Sequence, residues 1–146
     1  MSKVRLILLV AILACVAVCI SCGKGNKRAT KEQELPYQGI TAEIRTDSIT
    51  EVLVELGDVP YSTIATKKIR FNNPTANTLS LLDFKATCRC TWINLPTTAI
   101  GAGEYGEAEL MFDSRGEFGV VGNYIDISTS DPRCHIGVWI SANVVR

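Results

Sequence analysis

Ile136-Gly137-Val138-Trp139-Ile140-Ser141-Ala142-Asn143-Val144 is the longest clean alternation in the chain. Side chains two residues apart on a strand share a face. Ile136, Val138, Ile140, Ala142 and Val144 therefore build one apolar face, the mark of a strand buried on one side. Trp139 falls out of phase with them and is directed away from the core.

Working back from that strand, Ser130-Asp131-Pro132 reads as a hairpin turn. Before it, Val121, Ile125 and Ile127 form another inward set, and Tyr124 is out of phase with Ile125 and Ile127. Tyr124 and Trp139 are thus expected side by side on the outer face of a hairpin. Exposed aromatics of this kind mark partner surfaces, or else act as a cross-strand pair that steadies the sheet.

The remaining strands follow the same period. Val52, Val54 and Leu56 alternate with Glu51 and Glu55, ending at Gly57-Asp58. Ile69 and Phe71 alternate with Lys68 and Arg70 and stop at Asn72-Asn73-Pro74. Leu79 to Cys88 gives a strand with Leu82, Phe84, Ala86 and Cys88 facing in, where the extra Leu79 and Leu81 point to a bulge or a covered outer face. Extended through Trp92, the same phase adds Cys90 and Trp92 to that face. Ala108, Leu110 and Phe112 alternate with Glu107, Glu109 and Met111. After residue 30 no helical period is sustained. Six or seven short strands in roughly 100 residues predict an all-β, immunoglobulin-like β-sandwich, with an open barrel as the fallback.

The N-terminus reads as an address. Lys3 and Arg5 precede an apolar run from Leu6 to Ile20, then Ser21-Cys22-Gly23, the order of a secretory signal. The run is short for a bilayer-spanning helix. Its end resembles a bacterial lipoprotein signal, whose box closes on a small residue and then Cys. That resemblance implies a diacylglyceryl group on Cys22 and cleavage before it. Cys19 stands where the box usually has Leu. Ile12-Leu13-Ala14-Cys15 fits the box better locally, but choosing Cys15 would leave Val16-Ala17-Val18 at the new N-terminus, so Cys22 is preferred. Residues 1–21 are read as signal, 22–47 as a lipid-anchored flexible tether, and 48–146 as the sandwich. Export would place the folded part in a disulfide-permissive compartment of the cell envelope, held at a membrane.

Charge excludes one class of partner. Lysine plus arginine number 15, as do aspartate plus glutamate. Residues 1–21 hold two of the bases and none of the acids, which leaves 13 bases against 15 acids and a net charge of −2. No basic field exists to hold nucleic acid. The chain has a single histidine, His135, and no nucleophile motif accompanies it. Gly101-Ala102-Gly103 lacks the lysine and helix of a phosphate loop. Neither catalysis, a cofactor nor a small-molecule substrate is expected. The expected partner is another envelope macromolecule.

The order of features resembles the domain-of-unknown-function fifteen seventy-three family, an Ig-like relative of the ASH and Hydin-type modules. The residues that carry it are Gly57, Phe71-Asn72-Asn73, Leu79, Cys88-Arg89-Cys90-Thr91, Ile100-Gly101-Ala102-Gly103-Glu104 and Phe112-Asp113. Arg89 stands where that family usually has Gly, and Ala102 where it often has Pro. The resemblance implies an exported, often lipid-anchored Ig-like module and no known reaction.

If Cys22 is lipidated, Cys88, Cys90 and Cys134 remain. Four readings compete. A Cys88–Cys90 disulfide needs the backbone to kink, because two strand steps span about 6.6 Å, and Arg89 makes the kink harder than Gly would. A bridge from Cys134 requires only two strands between it and Cys90. If Trp92 to Leu95 is itself an edge strand, as preferred here, the count is three and Cys134 starts at the far end. A thiol site of Cys88, Cys90, Cys134 and His135 would suit Zn or Cu(I), or redox work, but needs the same-end geometry. Finally, the cysteines serve as small apolar side chains beside Phe84 and Trp92.

Overall fold

A computed structural model describes residues 37–146. The expected signal, Cys15, Cys22 and most of the tether lie outside the described residues. The described part is a β-sandwich of eight strands: β1 (Ile40–Glu43), β2 (Thr50–Pro60), β3 (Ile64–Asn72), β4 (Leu81–Ala86), β5 (Thr91–Asn94), β6 (Tyr105–Asp113), β7 (Gly119–Thr129) and β8 (His135–Val145). They form two four-stranded sheets, ordered β1-β3-β6-β5 and β2-β8-β7-β4. Both sheets are mixed, because β1 runs parallel to β3 and β2 parallel to β8.

The alternation in β8 is what closes the sandwich. Ile136, Val138, Ile140, Ala142 and Val144 are all buried. Ile136, Val138 and Ile140 meet Val52 and Val54 of β2 and Ile125 and Ile127 of β7, while Ala142 and Val144 pack with Val59 and Phe112. From the other sheet, Ile69, Phe71, Ala108, Leu110 and Ile93 complete the interior. Burial of such side chains contributes about 1.5–3 kcal/mol each, which is the term that opposes chain entropy.

Asn73 is a polar exception in this interior. Fully buried after β3, it donates from Nδ2 to the carbonyls of Asn77 (2.8 Å), Ile100 (3.0 Å) and Gly101 (3.2 Å). Its Oδ1 accepts from the Thr75 amide and hydroxyl. One side chain thus ties the β3–β4 and β5–β6 connections together.

Four sequence expectations are corrected. The tether does not extend to residue 47: Ile40 and Ala42 pair with Ile69 and Phe71, and Ile44 is buried. Just before β1, the Tyr37 ring lies 4.0 Å from the Arg70 guanidinium, which stacks on Tyr105 from its other side at 3.8 Å. The short run Ile40, Ala42, Ile44 had the strand period but lay inside polar sequence.

Second, β2 does not end at Gly57-Asp58. The strand bulges there, with a register shift between Glu55 and Asp58 and Gly57 at φ 68°, and continues to bury Val59. Glycine takes a left-handed φ without the Cβ clash that other residues suffer.

Third, β4 carries the suspected bulge, between Leu81 and Asp83, and the phase changes across it: Leu79 and Leu81 are buried and Leu82 is exposed before it, whereas Phe84 and Ala86 pack against the core as expected after it. Fourth, Phe84 to Trp92 is not one strand. After Ala86 the chain turns across the edge of the sandwich and enters the opposite sheet as β5. Thr91 and Ile93 are buried there, and Trp92 is not part of the inner face.

Candidate functional site

Two places on the sandwich gather the side chains singled out by the sequence. The first is the outer face of the β2-β8-β7-β4 sheet. Register sets Leu53 of β2 opposite Trp139 of β8, and Trp139 opposite Tyr124 of β7. Register partners share a face, so the three form one row across three strands. Leu53 is 61% exposed and Trp139 is 50% exposed. The Tyr124 and Trp139 rings lie 4.6 Å apart at 50°, the tilted arrangement that aromatic quadrupoles favour.

One register step away, Glu51, Gly137, Asp126 and Lys85 form the next row. Partial burial, then the carboxylates of Asp126 and Glu51, push the Tyr124 phenol above its ordinary range. The face is therefore an apolar bar beside an acidic edge. Tyr124 and Trp139 are legible as a pair from phase alone. Leu53 was missed, because it lies among Val52, Val54 and Leu56 and reads as more core.

The second place is the corner between β4 and β5. Cys88 and Cys90 form a disulfide there, with Cα atoms 5.1 Å apart. The backbone kinks despite Arg89, whose side chain is exposed. The Cys90 amide donates to Cys88 Sγ at 2.9 Å, closing the turn, and the Cys90 carbonyl accepts from Asp113 of β6 at 2.8 Å. Cys90 packs inward against Val59, Phe112, Ala142 and Val144. Asn123 of β7, buried in phase with Ile125, reaches across the interior. Its Nδ2 donates to Thr91 Oγ1 at 3.1 Å and to Cys90 Sγ at 3.4 Å. Glu117 Oε1 lies 4.0 Å from Cys88 Sγ, a part-buried contact.

The four-residue thiol site is not assembled. Three strands separate Cys90 from Cys134, so Cys134, directly before β8, lies at the opposite end. His135 faces Ser128, whereas Cys90 touches Asn123, five residues along β7. At about 3.4 Å per residue that is roughly 17 Å, far beyond bridging or shared ligation. Cys134 is a free thiol, 1% exposed, whose pKa is raised first by burial and then by the nearby Asp131 carboxylate. Among the described residues, one group has donor atoms within 4.8 Å of one another: Cys88, Cys90 and Glu117. Its two sulfurs are bonded to each other, and the metal ligand of cysteine is the thiolate. His135 is exposed, and the Asp131 carboxylate is engaged by Arg133 at 2.7 Å.

A two-sheet module with a cysteine-bridged corner is the class that fold and site define. The family described as protein of unknown function (DUF1573) matches residues 48–144, and this chain belongs to that family. Among solved structures, it is similar to a protein of unknown function from Porphyromonas gingivalis W83, with TM-score 0.57 and 15% identity over 77% of this chain and 51% of that one. It is also similar to the VesB protease of Vibrio cholerae, with TM-score 0.51 and 12% identity over 66% of this chain and 31% of that one. The chain thus spans about half of the first and about a third of the second. At these identities the likeness is one of fold. No curated protein matches the chain.

Proposed function

We propose that this chain is an exported, lipid-anchored module that binds another macromolecule of the bacterial cell envelope or braces an assembly there. The observation that carries the reading is the Leu53–Trp139–Tyr124 row, a solvent-facing apolar bar across three strands of one sheet. A lone exposed apolar residue needs no explanation, but a contiguous row across three strands does. Cys22 would supply the lipid anchor, and two or more acyl chains hold a protein stably at a bilayer.

The test uses the full chain in bacterial cells. Radiolabelled palmitate should enter the wild type and be absent from Cys22→Ala. With a photo-crosslinking residue at position 53, discrete adducts should form in membranes and be lost in the Tyr124→Ala, Trp139→Ala double variant at equal expression. Undiminished adducts would remove the bar from the proposal. An intact N-terminus on unlabelled protein would remove the anchor.

A further inference from the structure

We infer that the Cys88–Cys90 disulfide is a thiol–disulfide exchange centre that takes two electrons from the dithiol of a client protein or peptide. Four observations point to it. The bridge joins residues only two apart, so it constrains the unfolded chain less than a long-range staple would. Both cysteines are half-buried rather than sealed in the core, in contrast to Cys134. The two sulfurs are unequal: Cys90 faces the interior cluster and Cys88 faces Glu117. Finally, the inner sulfur is met by the Asn123 amide at 3.4 Å, with the Thr91 hydroxyl at 3.6 Å.

That inequality sets the direction of attack. A client thiolate attacks Cys88 Sγ, the sulfur that does not pack against the interior cluster. The S–S bond breaks, and its electron pair leaves with Cys90 Sγ as a thiolate, which the Asn123 N–H and the Thr91 O–H stabilise. A leaving thiolate held by donors leaves faster. Client and Cys88 are now joined as a mixed disulfide. The client's second thiolate attacks its own sulfur in that bond, closes the client disulfide and releases Cys88 as a thiolate. Cys88 and Cys90 take up the two protons lost by the client thiols, so the client is oxidised by two electrons and the corner is reduced by two. Glu117 is placed to accept the incoming thiol's proton and return it to Cys88. It is followed by Phe118, an exposed ring stacked on Tyr61 at 5.2 Å, which offers a client an apolar shelf.

The experiment takes the oxidised full chain through glutathione buffers of rising reduced-to-oxidised ratio, with acid quench, alkylation and mass spectrometry. Cys88 and Cys90 should pass reversibly to the dithiol while the circular dichroism spectrum remains that of the folded protein. Oxidised protein mixed with a reduced two-cysteine peptide should yield one peptide disulfide per corner reduced. In variants that keep one of the two corner thiols, Cys88 of Cys90→Ser should react with an aromatic disulfide at least tenfold faster than Cys90 of Cys88→Ser, with the modified cysteine assigned by peptide mass spectrometry. Glu117→Gln, which keeps the size of a half-buried side chain, should slow peptide oxidation several-fold near neutral pH without altering the melting temperature. A corner that stays oxidised at every ratio, or is reduced only as the protein unfolds, would overturn the inference. Equal rates at Cys88 and Cys90 in these two variants would do the same.

Discussion

The ring of Tyr124 rests on the backbone of Gly137. A Cβ at residue 137 would stand 2.5 Å from Tyr124 Oη and 2.9 Å from Cε2. The two residues are diagonal neighbours, since Gly137 faces Asp126 and Tyr124 faces Trp139. Glycine is therefore the floor on which the aromatic pair is built, a reason independent of backbone conformation.

Gly137→Ala should lift the Tyr124 ring away and open the Tyr124–Trp139 pair. Such pairs contribute about 0.5–1.5 kcal/mol beyond area burial, and better strand propensity at 137 offsets part of the loss. The near-UV circular dichroism band should weaken while the urea midpoint falls by the equivalent of less than about 1 kcal/mol. An unchanged near-UV spectrum would contradict the stacking.

Asn73→Ala should cost far more. The amide answers three carbonyls and its oxygen answers Thr75. Each buried group left unmet costs about 1–3 kcal/mol, and Ile100 O keeps one partner in the Leu79 amide. A loss of about 2–3 kcal/mol in urea unfolding is expected, with hydrogen exchange accelerating in both connections.

Acid should weaken the β7–β8 turn in a defined window. The Arg133 guanidinium and amide hold the Asp131 carboxyl down from 3.8 to about 2. The folded pKa is depressed, so this stabilisation is present above the unfolded value and is lost as pH falls from about 4 through about 2. The turn is solvent-exposed, so the effect is modest. Wild type should melt above Asp131→Asn at pH 5, and the gap should shrink steadily down to pH 2. A gap constant with pH would assign the difference to something other than charge.

The strands that were legible from the residues are those with one buried face and no irregularity. β3, β6 and β8 declare themselves because Phe71, Leu110 and Val138 each sit in an unbroken period-two set. The corner was not legible, because alternation carries no information about where a chain leaves one sheet for the other. Cys88 and Cys90 keep the phase of Phe84 only if the strand continues, and Thr91 and Ile93 carry the opposite phase that betrays the switch. At the Leu81–Asp83 bulge one extra residue exchanges the two faces, so the inward reading holds for Phe84 and Ala86 beyond it and fails for Leu82. Asn123 was hidden as a site residue because a polar side chain in an apolar phase can be noticed only by asking what lies across the interior. The kink at Arg89 was underestimated, since the local cost of a non-glycine residue is offset by strand pairing on both sides of the turn.

The seclusion of Cys134 gives the sandwich a built-in chemical clock. With the other two cysteines joined, the described body in its oxidised form offers a reagent no ready thiol. A maleimide therefore reaches Cys134 only when the end of the sandwich near Thr129 and Ile136 breathes open, so the rate of its modification in purified protein times the opening of this fold.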